Sequence, residues 1–425
     1  MLRLAYLALG QLARAAAAVA PPLEGKTWRA LRARRGIRER YAAWGRAHRD
    51  PARALLWMHA PSVGEGLQAR PVLELARARR PELQLAYTHF SPSAERFART
   101  LGADFADYLP FDTRGDARAA LDALRPNALV YAKLDVWPVL TLQAARRGVR
   151  LGLISATLSA RSARGGGPGR ALLREAYARL DAVGAIDDAD AARLRALGVR
   201  DAVLRVTGDT RYDQVWARAR SVDRAGPLLA PLASSRPTLV AGSTWPADER
   251  VLLAAWRDVR ARAGDARLVI APHEPTPDHL APIERWGADA RLRVARLSQG
   301  DAAPGADVIV VDRVGVLGEL YALADAAFVG GGFHAAGLHS VLEPAAFGAP
   351  VLFGPRWTAS HDARLLRDAG GGVAVSDARE LADQASTWLA DGAARRAAGE
   401  RARAMVEGGR GAAERSWALV SALLD

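Results

Sequence analysis

Short apolar segments alternate with helical segments along most of the chain after residue 50. In the first half, apolar runs predict strands over 55–60, 83–90, 108–110, 127–133, 149–158 and 203–210. Apolar residues at helical spacing predict helices over 64–79 and 114–124, with another after Ser91. Strands and helices that alternate in this way favour a parallel sheet covered by helices on both faces.

The same pattern starts again after a poorly periodic stretch, 221–237, that holds three prolines. Strands are predicted over 238–244, 267–274, 307–313, 326–333, 349–355 and 372–375, and helices over 378–425. We therefore predict an α/β protein with two doubly wound, Rossmann-like domains, 51–222 and 237–425, joined by a linker at 223–236. The last helix is allowed to pack back on the N-terminal domain. Any ligand is expected in the cleft between the domains, at the carboxyl ends of the strands.

Residues 1–50 form a separate segment in this prediction. Residues 2–20 are apolar apart from Arg3, Gln11 and Arg14, and the whole segment holds eleven basic and three acidic residues, a net charge of +8. An apolar helix followed by basic residues is typical of a membrane anchor beside anionic lipid. A helix packed on the protein and a cleaved signal peptide with an A-x-A site near 17–20 are the alternatives.

Composition excludes several kinds of chemistry. The chain of 425 residues has no cysteine, which excludes disulfides, thiolate metal sites and cysteine nucleophiles. Its net charge is +13, but only two bases are lysine and the residues after 50 carry just +5, so no nucleic-acid partner is expected. DDAD at 187–190 is interpreted as a helix cap rather than a metal motif. The eight histidines are scattered, and neither a metal nor a cofactor is expected.

Two segments carry the strongest chemical signals. In FVGGGFHAAGLHSVLEP, Gly330–Gly332 lie between a strand and a helix predicted to begin near Leu338, an arrangement that suits phosphate, with His339 and Glu343 following. In SVGEG, Glu65 lies where the helix dipole favours a carboxylate that can accept a proton. Anion-binding candidates are Arg161, Arg164, Arg211, Ser243 and Thr244.

Most of these candidate residues lie within a series of longer motifs. From the N-terminus they are WMHAPSVGEGLQARPVL, NALVYAKLDVWPVL, ATLSARSARG, VTGDTRYDQV, AGSTWPADE, IAPHEP, FVGGGF and GLHSVLEPAAFGAPVLFGP. In this order, the chain resembles transferases of 3-deoxy-D-manno-octulosonic acid (Kdo) that act on a lipid A precursor. The resemblance implies a GT-B glycosyltransferase fold, CMP-Kdo as donor, a lipid A precursor as acceptor, inversion at the anomeric carbon and no cofactor. It also implies lipopolysaccharide biosynthesis at an anionic membrane surface, the cytoplasmic face of the cell inner membrane.

The resemblance also assigns residues. Glu65 is the implied catalytic base, with Ser62, Gly64, Arg161 and Arg164 beside the acceptor or its anionic groups. The implied donor site consists of Arg211, Ser243, Thr244, His273, Gly331, Gly332, His339, Ser340 and Glu343.

Four departures from the family pattern bear on these roles. This chain has LDVWPV where Glu-Leu-Trp-Pro-Asn is common, and Pro-His-Glu at 272–274 where an arginine-bearing Pro-Arg-His is often found. It also has Ser340 where Asn is common, and Ser-Ala-Thr at 155–157 where Asn-Ala-Arg is usual. The fold alone leaves a UDP-sugar transferase or a sugar-nucleotide 2-epimerase open. A non-catalytic membrane-binding protein is the alternative from another functional class.

Overall fold

The computed structural model describes residues 1–159, 162 and 164–425, which form two compact units. The first unit contains residues 1–214 and 410–425, and the second contains residues 215–409. Each unit is built on one seven-stranded sheet whose strand pairs are parallel. The predicted α/β class with two parallel sheets is therefore confirmed.

In the sheet of the first unit, the order in which successive strands are added reverses next to the first strand. Its strands are β1 (Leu55–His59), β2 (Gln84–His89), β3 (Phe105–Tyr108), β4 (Ala128–Ala132), β5 (Arg150–Ala156), β6 (Ala182–Ala185) and β7 (Leu204–Val206). They lie in the order β3-β2-β1-β4-β5-β6-β7, with Leu56 of β1 opposite Ala128 of β4. The loops after β1 and β4 therefore flank the switch point, which is where open α/β sheets bind ligands.

The second unit repeats this design with a slightly different order. Its strands are β8 (Thr238–Thr244), β9 (Arg267–Pro272), β10 (Val294–Arg296), β11 (Val308–Val310), β12 (Ala326–Val329), β13 (Val351–Phe353) and β14 (Gly372–Ala374). Their order is β10-β11-β9-β8-β12-β13-β14, so the switch point lies between β8 and β12. Ser243 and Thr244 are the last residues of β8, and Gly330–Gly332 follow β12 directly.

Helices cover the faces of both sheets. They are α1 (Leu2–Val19), α2 (Lys26–Ala33), α3 (Ile37–His48), α4 (Val63–Arg79), α5 (Glu95–Ala98), α6 (Arg114–Leu124), α7 (Pro138–Ala145), α8 (Gly167–Ala178), α9 (Asp188–Leu197), α10 (Arg211–Ser221), α11 (Pro246–Ala263), α12 (Pro277–Asp289), α13 (Leu317–Leu320), α14 (Leu342–Ala346), α15 (His361–Asp368), α16 (Ala378–Ala390), α17 (Gly392–Gly408) and α18 (Ala412–Ser421). Buried strand residues such as Trp57 and Phe328 form the core on which these helices pack.

Several boundaries differ from the sequence prediction. The division between the units falls within α10, before the predicted linker, and Leu229 and Leu232 of that linker are buried in the second unit. Residues 1–50 are not separate from the first unit, because Ile37 and Tyr41 of α3 lie in its core. The last helix, α18, belongs to the first unit, where Trp417 packs beside β1 and α4 residues. The strands β6 and β10 were not predicted.

The N-terminal helix α1 is long and apolar enough to cross a membrane, judged by length and composition alone. Its 18 residues include Arg3 and Arg14.

Candidate functional site

Glu65 lies at the switch point of the first unit and is paired with a lysine. It occupies the first turn of α4, directly after β1, and its Oε1 accepts a hydrogen bond from Lys133 Nζ at 3.1 Å. The Ser62 hydroxyl donates to the other carboxylate oxygen. Gly64 is exposed between them, so the backbone of this turn is open to solvent on that side. The structure thus brings together Glu65, Ser62 and Gly64, as the sequence predicts, and adds Lys133.

The surroundings of Glu65 keep its carboxyl group ionised. Burial acts to raise its pKa, but the Lys133 ammonium and the Ser62 hydroxyl outweigh burial and hold the pKa below its ordinary value. Lys133 follows β4, and its backbone has a left-handed φ of 65°, a conformation that residues other than glycine rarely adopt. A carboxylate in this state can accept a proton or bind a donor group.

A second charged group lies just beyond Lys133 in the same loop. Asp135 Oδ2 accepts hydrogen bonds from the Trp137 indole N–H at 2.9 Å and lies 3.1 Å from His59 Nε2. Its other oxygen accepts from Arg164 Nη2 at 3.1 Å. Burial acts to raise the pKa of Asp135, and His59 and Arg164 outweigh it, so that the pKa is lowered. Arg164, a predicted anion-binding residue, is thus held by a carboxylate.

Arg211 lies in the first unit and not with the other predicted donor-site residues in the second. Its guanidinium pairs with Asp209 at 2.7 Å, and Asp209 also accepts from Gln68 of α4 at 3.1 Å. Burial acts to raise the pKa of Asp209, but Arg211 holds it below the ordinary value. The predicted residue Arg161 lies outside the described residues.

The glycine loop of the second unit is held by a buried carboxylate. Asp248 of α11 accepts the backbone N–H of Gly331 at 2.8 Å and that of Phe333 at 3.0 Å. It also accepts the N–H of Trp245 at 2.9 Å. The backbone N–H groups of Gly331, Phe333 and Trp245 are therefore occupied by a side chain of the same unit.

The glycines are required here by packing. A Cβ on Gly330 would lie 2.3 Å from the Ser243 carbonyl oxygen, and one on Gly332 would lie 2.4 Å from the backbone nitrogen of Gly354. Gly331 has a left-handed φ of 90°. The glycine loop therefore packs closely against the end of β8 and against the residue that follows β13.

Aromatic rings cover this loop. The Trp245 ring stacks on His334 at 4.3 Å and on His273 at 4.7 Å between centroids, and its indole N–H donates to His339 Nε2 at 3.1 Å. Burial lowers the pKa of His339 to about 4, and the neighbouring His273 contributes in the same direction. The ring is therefore neutral near pH 7, as its role as an acceptor from Trp245 requires.

The strand that precedes Trp245 is fixed by a buried hydroxyl. Ser243 has a left-handed φ of 54°, and the Thr244 hydroxyl donates to Glu249 Oε1 at 2.7 Å. Glu249 is also bound by His279 Nε2 at 2.9 Å, and burial raises its pKa. Ser243 and Thr244 thus share the switch point with the glycine loop, as predicted.

The predicted helix after the glycine loop begins later than expected. It starts at Leu342 rather than near Leu338, because the segment through Ser340 remains an irregular loop, and it has only five residues. Glu343 lies in its first turn, 3.6 Å from Arg218, and burial raises its pKa although Arg218 acts to lower it. Ser340 is exposed at the loop's end.

The DDAD segment behaves as a helix cap. The Asp187 side chain accepts the backbone N–H of Asp190 at 2.6 Å, which confirms that interpretation. Within residues 1–159, 162 and 164–425, no group of three or more His, Asp or Glu side chains is arranged to hold a metal ion.

Sequence reasoning did not find several residues of these sites. Lys133 stands out only as one of two lysines in an arginine-rich chain, and Asp135 only as a departure from a motif. His59, Trp245 and Asp248 lie within recognised motifs, but most of their partners are far away in the sequence.

Comparisons with known proteins were made for the whole chain. A sequence profile described as "3-Deoxy-D-manno-octulosonic-acid transferase (kdotransferase)" matches residues 35–214. A 3-deoxy-D-manno-octulosonic acid transferase of Bordetella pertussis is 34% identical over 405 residues, covering 92% of this chain and 93% of the relative. The enzyme of the same name from Haemophilus influenzae is 28% identical over 326 residues, which cover 76% of this chain and 75% of the relative.

Among solved structures, the fold is similar to that of a UDP-GlcNAc 2-epimerase from Neisseria meningitidis bound to UDP-GlcNAc. The TM-score is 0.63 at 14% identity, covering 87% of this chain and 99% of that one. At this identity, the likeness is one of fold alone.

Proposed function

Because the chain belongs to the family of 3-deoxy-D-manno-octulosonic acid (Kdo) transferases, we propose that it moves Kdo from CMP-Kdo to a lipid A precursor with inversion. Members of this family are glycosyltransferases, so the resemblance stated from the motifs is confirmed. The comparison in sequence does not favour the alternatives, a UDP-sugar transferase or a 2-epimerase. The similarity to an epimerase concerns the fold.

Glu65 is the proposed base, and its pair with Lys133 is the observation that carries this assignment. The carboxylate lies at the switch point of a unit whose residues 35–214 match the family profile, and its pKa is held low. In the proposed step, Glu65 accepts the proton of the acceptor hydroxyl while that oxygen attacks the anomeric carbon of Kdo and CMP leaves. Lys133 keeps the carboxylate ready in its charged form until the acceptor arrives.

The second unit is the proposed donor-binding unit. Its stacked rings around Trp245 offer flat apolar surfaces for a base or sugar, while Glu343 and Ser340 offer oxygen acceptors at the rim. Ser243, Thr244, His273, Gly331, Gly332 and His339 would shape this surface. Arg211 and Arg164, both in the first unit, would meet the carboxylate or phosphate groups of the reactants.

The acceptor and the site of action follow from the same proposal. A lipid A precursor is an anionic lipid, and the +8 charge of residues 1–50 favours an anionic membrane surface, here the cytoplasmic face of the inner membrane. Exposed bases of this segment include Lys26, Arg29 and Arg46. Replacing these three by Gln should weaken co-sedimentation with anionic vesicles, and equal binding would remove the charge argument.

The function is tested with the purified full chain, CMP-Kdo and a lipid A precursor. We expect release of CMP with formation of an inverted Kdo glycoside, read by NMR, and no product when a UDP-sugar replaces the donor. Calorimetry with CMP against UDP tests the donor directly. UDP binding as tight as that of CMP would contradict the proposal.

A further inference from the structure

The helix α1 directs its charges toward the first unit. Arg3 Nη1 lies 3.0 Å from Glu175, and Arg14 Nε lies 3.4 Å from Asp116, a side chain that is almost completely buried. A helix whose outer side faces water normally has the opposite arrangement, with its charges pointing outward. Both charged side chains of α1 therefore contact the unit, and its opposite side has no charged side chain.

The inner face of α1 is seated on the unit by more than charge. The Tyr6 hydroxyl donates to Asp112 Oδ2 at 2.8 Å, and Asp112 in turn accepts the backbone N–H groups at the start of α7. Gly10 passes so close that a Cβ there would lie 3.3 Å from Thr113 Cγ2. Ala17 is buried. These positions recur every three or four residues, so they form one face of the helix.

The outer face of α1 is apolar and exposed. Leu4, Leu9, Leu12 and Val19 are 70%, 64%, 65% and 79% exposed. Given about 100° per residue, Leu4, Leu12 and Val19 lie on the side of the helix opposite Tyr6, Gly10 and Ala17, and Leu9 lies at the margin of that side. Exposed bases in the following segment supply the charge that anionic headgroups attract.

We propose that α1 lies in the plane of an anionic bilayer and does not cross it. In this arrangement the row of Leu4, Leu9, Leu12 and Val19 enters one leaflet, while the inner face stays on the first unit. Crossing would remove the Tyr6 hydrogen bond from Asp112 and the Arg14 contact from Asp116, so that these buried carboxylates would keep only the backbone of α7 and Arg38 with Thr113 as partners. It would also carry guanidinium groups into hydrocarbon. The inference rests on the proposed membrane association and specifies its geometry.

A disulfide across the α1 contact tests the geometry. The chain has no cysteine, so Gly10→Cys with Thr113→Cys creates a single possible cross-link at a contact short enough for one. The full chain, reduced and oxidised, is mixed with phosphatidylglycerol vesicles. We expect the two forms to bind within about twofold of each other. At least tenfold weaker binding after oxidation would mean that α1 must leave the unit, and would overturn the proposal.

Failure of the membrane association itself gives a different result, because neither form would then sediment with vesicles. Kdo transfer is not needed for this readout, so an inactive protein leaves the test intact. Oligomerisation is followed by light scattering in parallel. A dimer that is lost on Leu12→Glu in the absence of lipid would identify a second copy as the partner and overturn the assignment to lipid.

Depth measurements provide a second test if the double variant folds poorly. Single cysteines at Leu4, Leu12 and Val19 are labelled with an environment-sensitive fluorophore and quenched by lipids carrying quenchers at two depths. An in-plane helix gives one shallow depth for all three positions. A spanning helix places position 12 deeper than positions 4 and 19, which would overturn the proposal.

Substitution of the outer face provides the matched comparison. Leu12→Glu should weaken vesicle binding at least tenfold, since it places a charge among the apolar side chains. Ala192→Glu adds the same charge at an exposed position of α9, away from α1 in the sequence, and should change binding less than threefold. Equal effects of the two variants would show that charge alone matters and would contradict the proposal.

Discussion

In the first unit, the loops at the switch point hold charges that pair with one another, whereas in the second they hold stacked rings and buried backbone groups. In the pairs of Glu65 with Lys133 and of Asp135 with Arg164, the cations are 42% and 40% exposed and the carboxylates 17% and 15%. Asp248, by contrast, is fully buried and occupied by backbone N–H groups. The same parallel-sheet design thus supports a charged site in one unit and a closely packed one in the other.

This difference indicates how each unit should respond to substitution. Paired charges near solvent can be exchanged without loss of packing, so changes there should act on rate and on its pH dependence. Buried hydrogen bonds and glycine contacts cannot be changed without strain, so changes in the second unit should act on stability and ligand binding. The following predictions test that division.

The largest effect is expected for Glu65→Gln. The amide keeps the size of the side chain but cannot accept the proton of the acceptor hydroxyl, so Kdo transfer should fall at least about 100-fold. CMP binding, measured by calorimetry, should be unchanged. Glu74→Gln on the exposed side of α4 is the control. Near-normal turnover by Glu65→Gln would remove Glu65 as the base.

Asp248→Asn should have the largest effect on the second unit. One carboxylate oxygen becomes an NH₂ group that faces backbone N–H donors from Gly331, Phe333 or Trp245. We expect the free energy of unfolding to fall by about 2–4 kcal/mol and CMP binding to weaken. Asp258→Asn, exposed on the same helix, should be neutral in both measurements. A stable variant that binds CMP normally would show that the glycine loop does not depend on this carboxylate.

Lys133→Met should change the pH dependence of the first unit. The pKa of Glu65 is held below its ordinary value partly by Lys133, so removing the ammonium should raise it. The acid limb of kcat/KM should then move to higher pH, with roughly fivefold lower activity near pH 5.5 and recovery near pH 8. Lys133→Arg should restore most of the profile. Arg146→Met, at an exposed position after α7, is the control. An unchanged acid limb in Lys133→Met would contradict the role of the pair.

The sequence predicts the architecture well where apolar segments are long. The helix predicted over 114–124 is observed with the same bounds, Arg114–Leu124, because Thr113 caps it and the apolar spacing is regular. The strands β6 and β10 are missed, since Ala182–Ala185 is short and made of small residues and Val294–Arg296 has only three.

The candidate sites are predicted only in part, because partners across a sheet have no sequence spacing. Glu65 is found from its position after a strand, but Lys133 reaches it from 68 residues away. The glycine loop is recognised from its run of three glycines. The structure shows that two of them are required because the backbone there is in close contact with Ser243 and Gly354. The late start of α14 follows from the irregular loop through Ser340, which periodicity cannot detect.

The smallest predicted effect compares a histidine from each unit. Burial lowers the pKa of His89 in the first unit and of His339 in the second to about 4, against an ordinary value of 6.5. Between these values the unfolded chain binds a proton that the folded chain does not, so stability is lost as the pH falls from about 6.5 toward 4. The slope of the free energy of unfolding against pH reports the difference in bound protons between the unfolded and folded chain. His339→Gln should reduce this slope by less than one proton for the second unit, and His89→Gln should do the same for the first. Denaturant unfolding at several pH values, followed by ¹⁹F NMR of 5-fluorotryptophan-labelled protein with Trp245 and Trp137 assigned, measures both slopes. An unchanged slope for the second unit in His339→Gln would show that protonation of the His339 ring does not oppose the packing around Trp245.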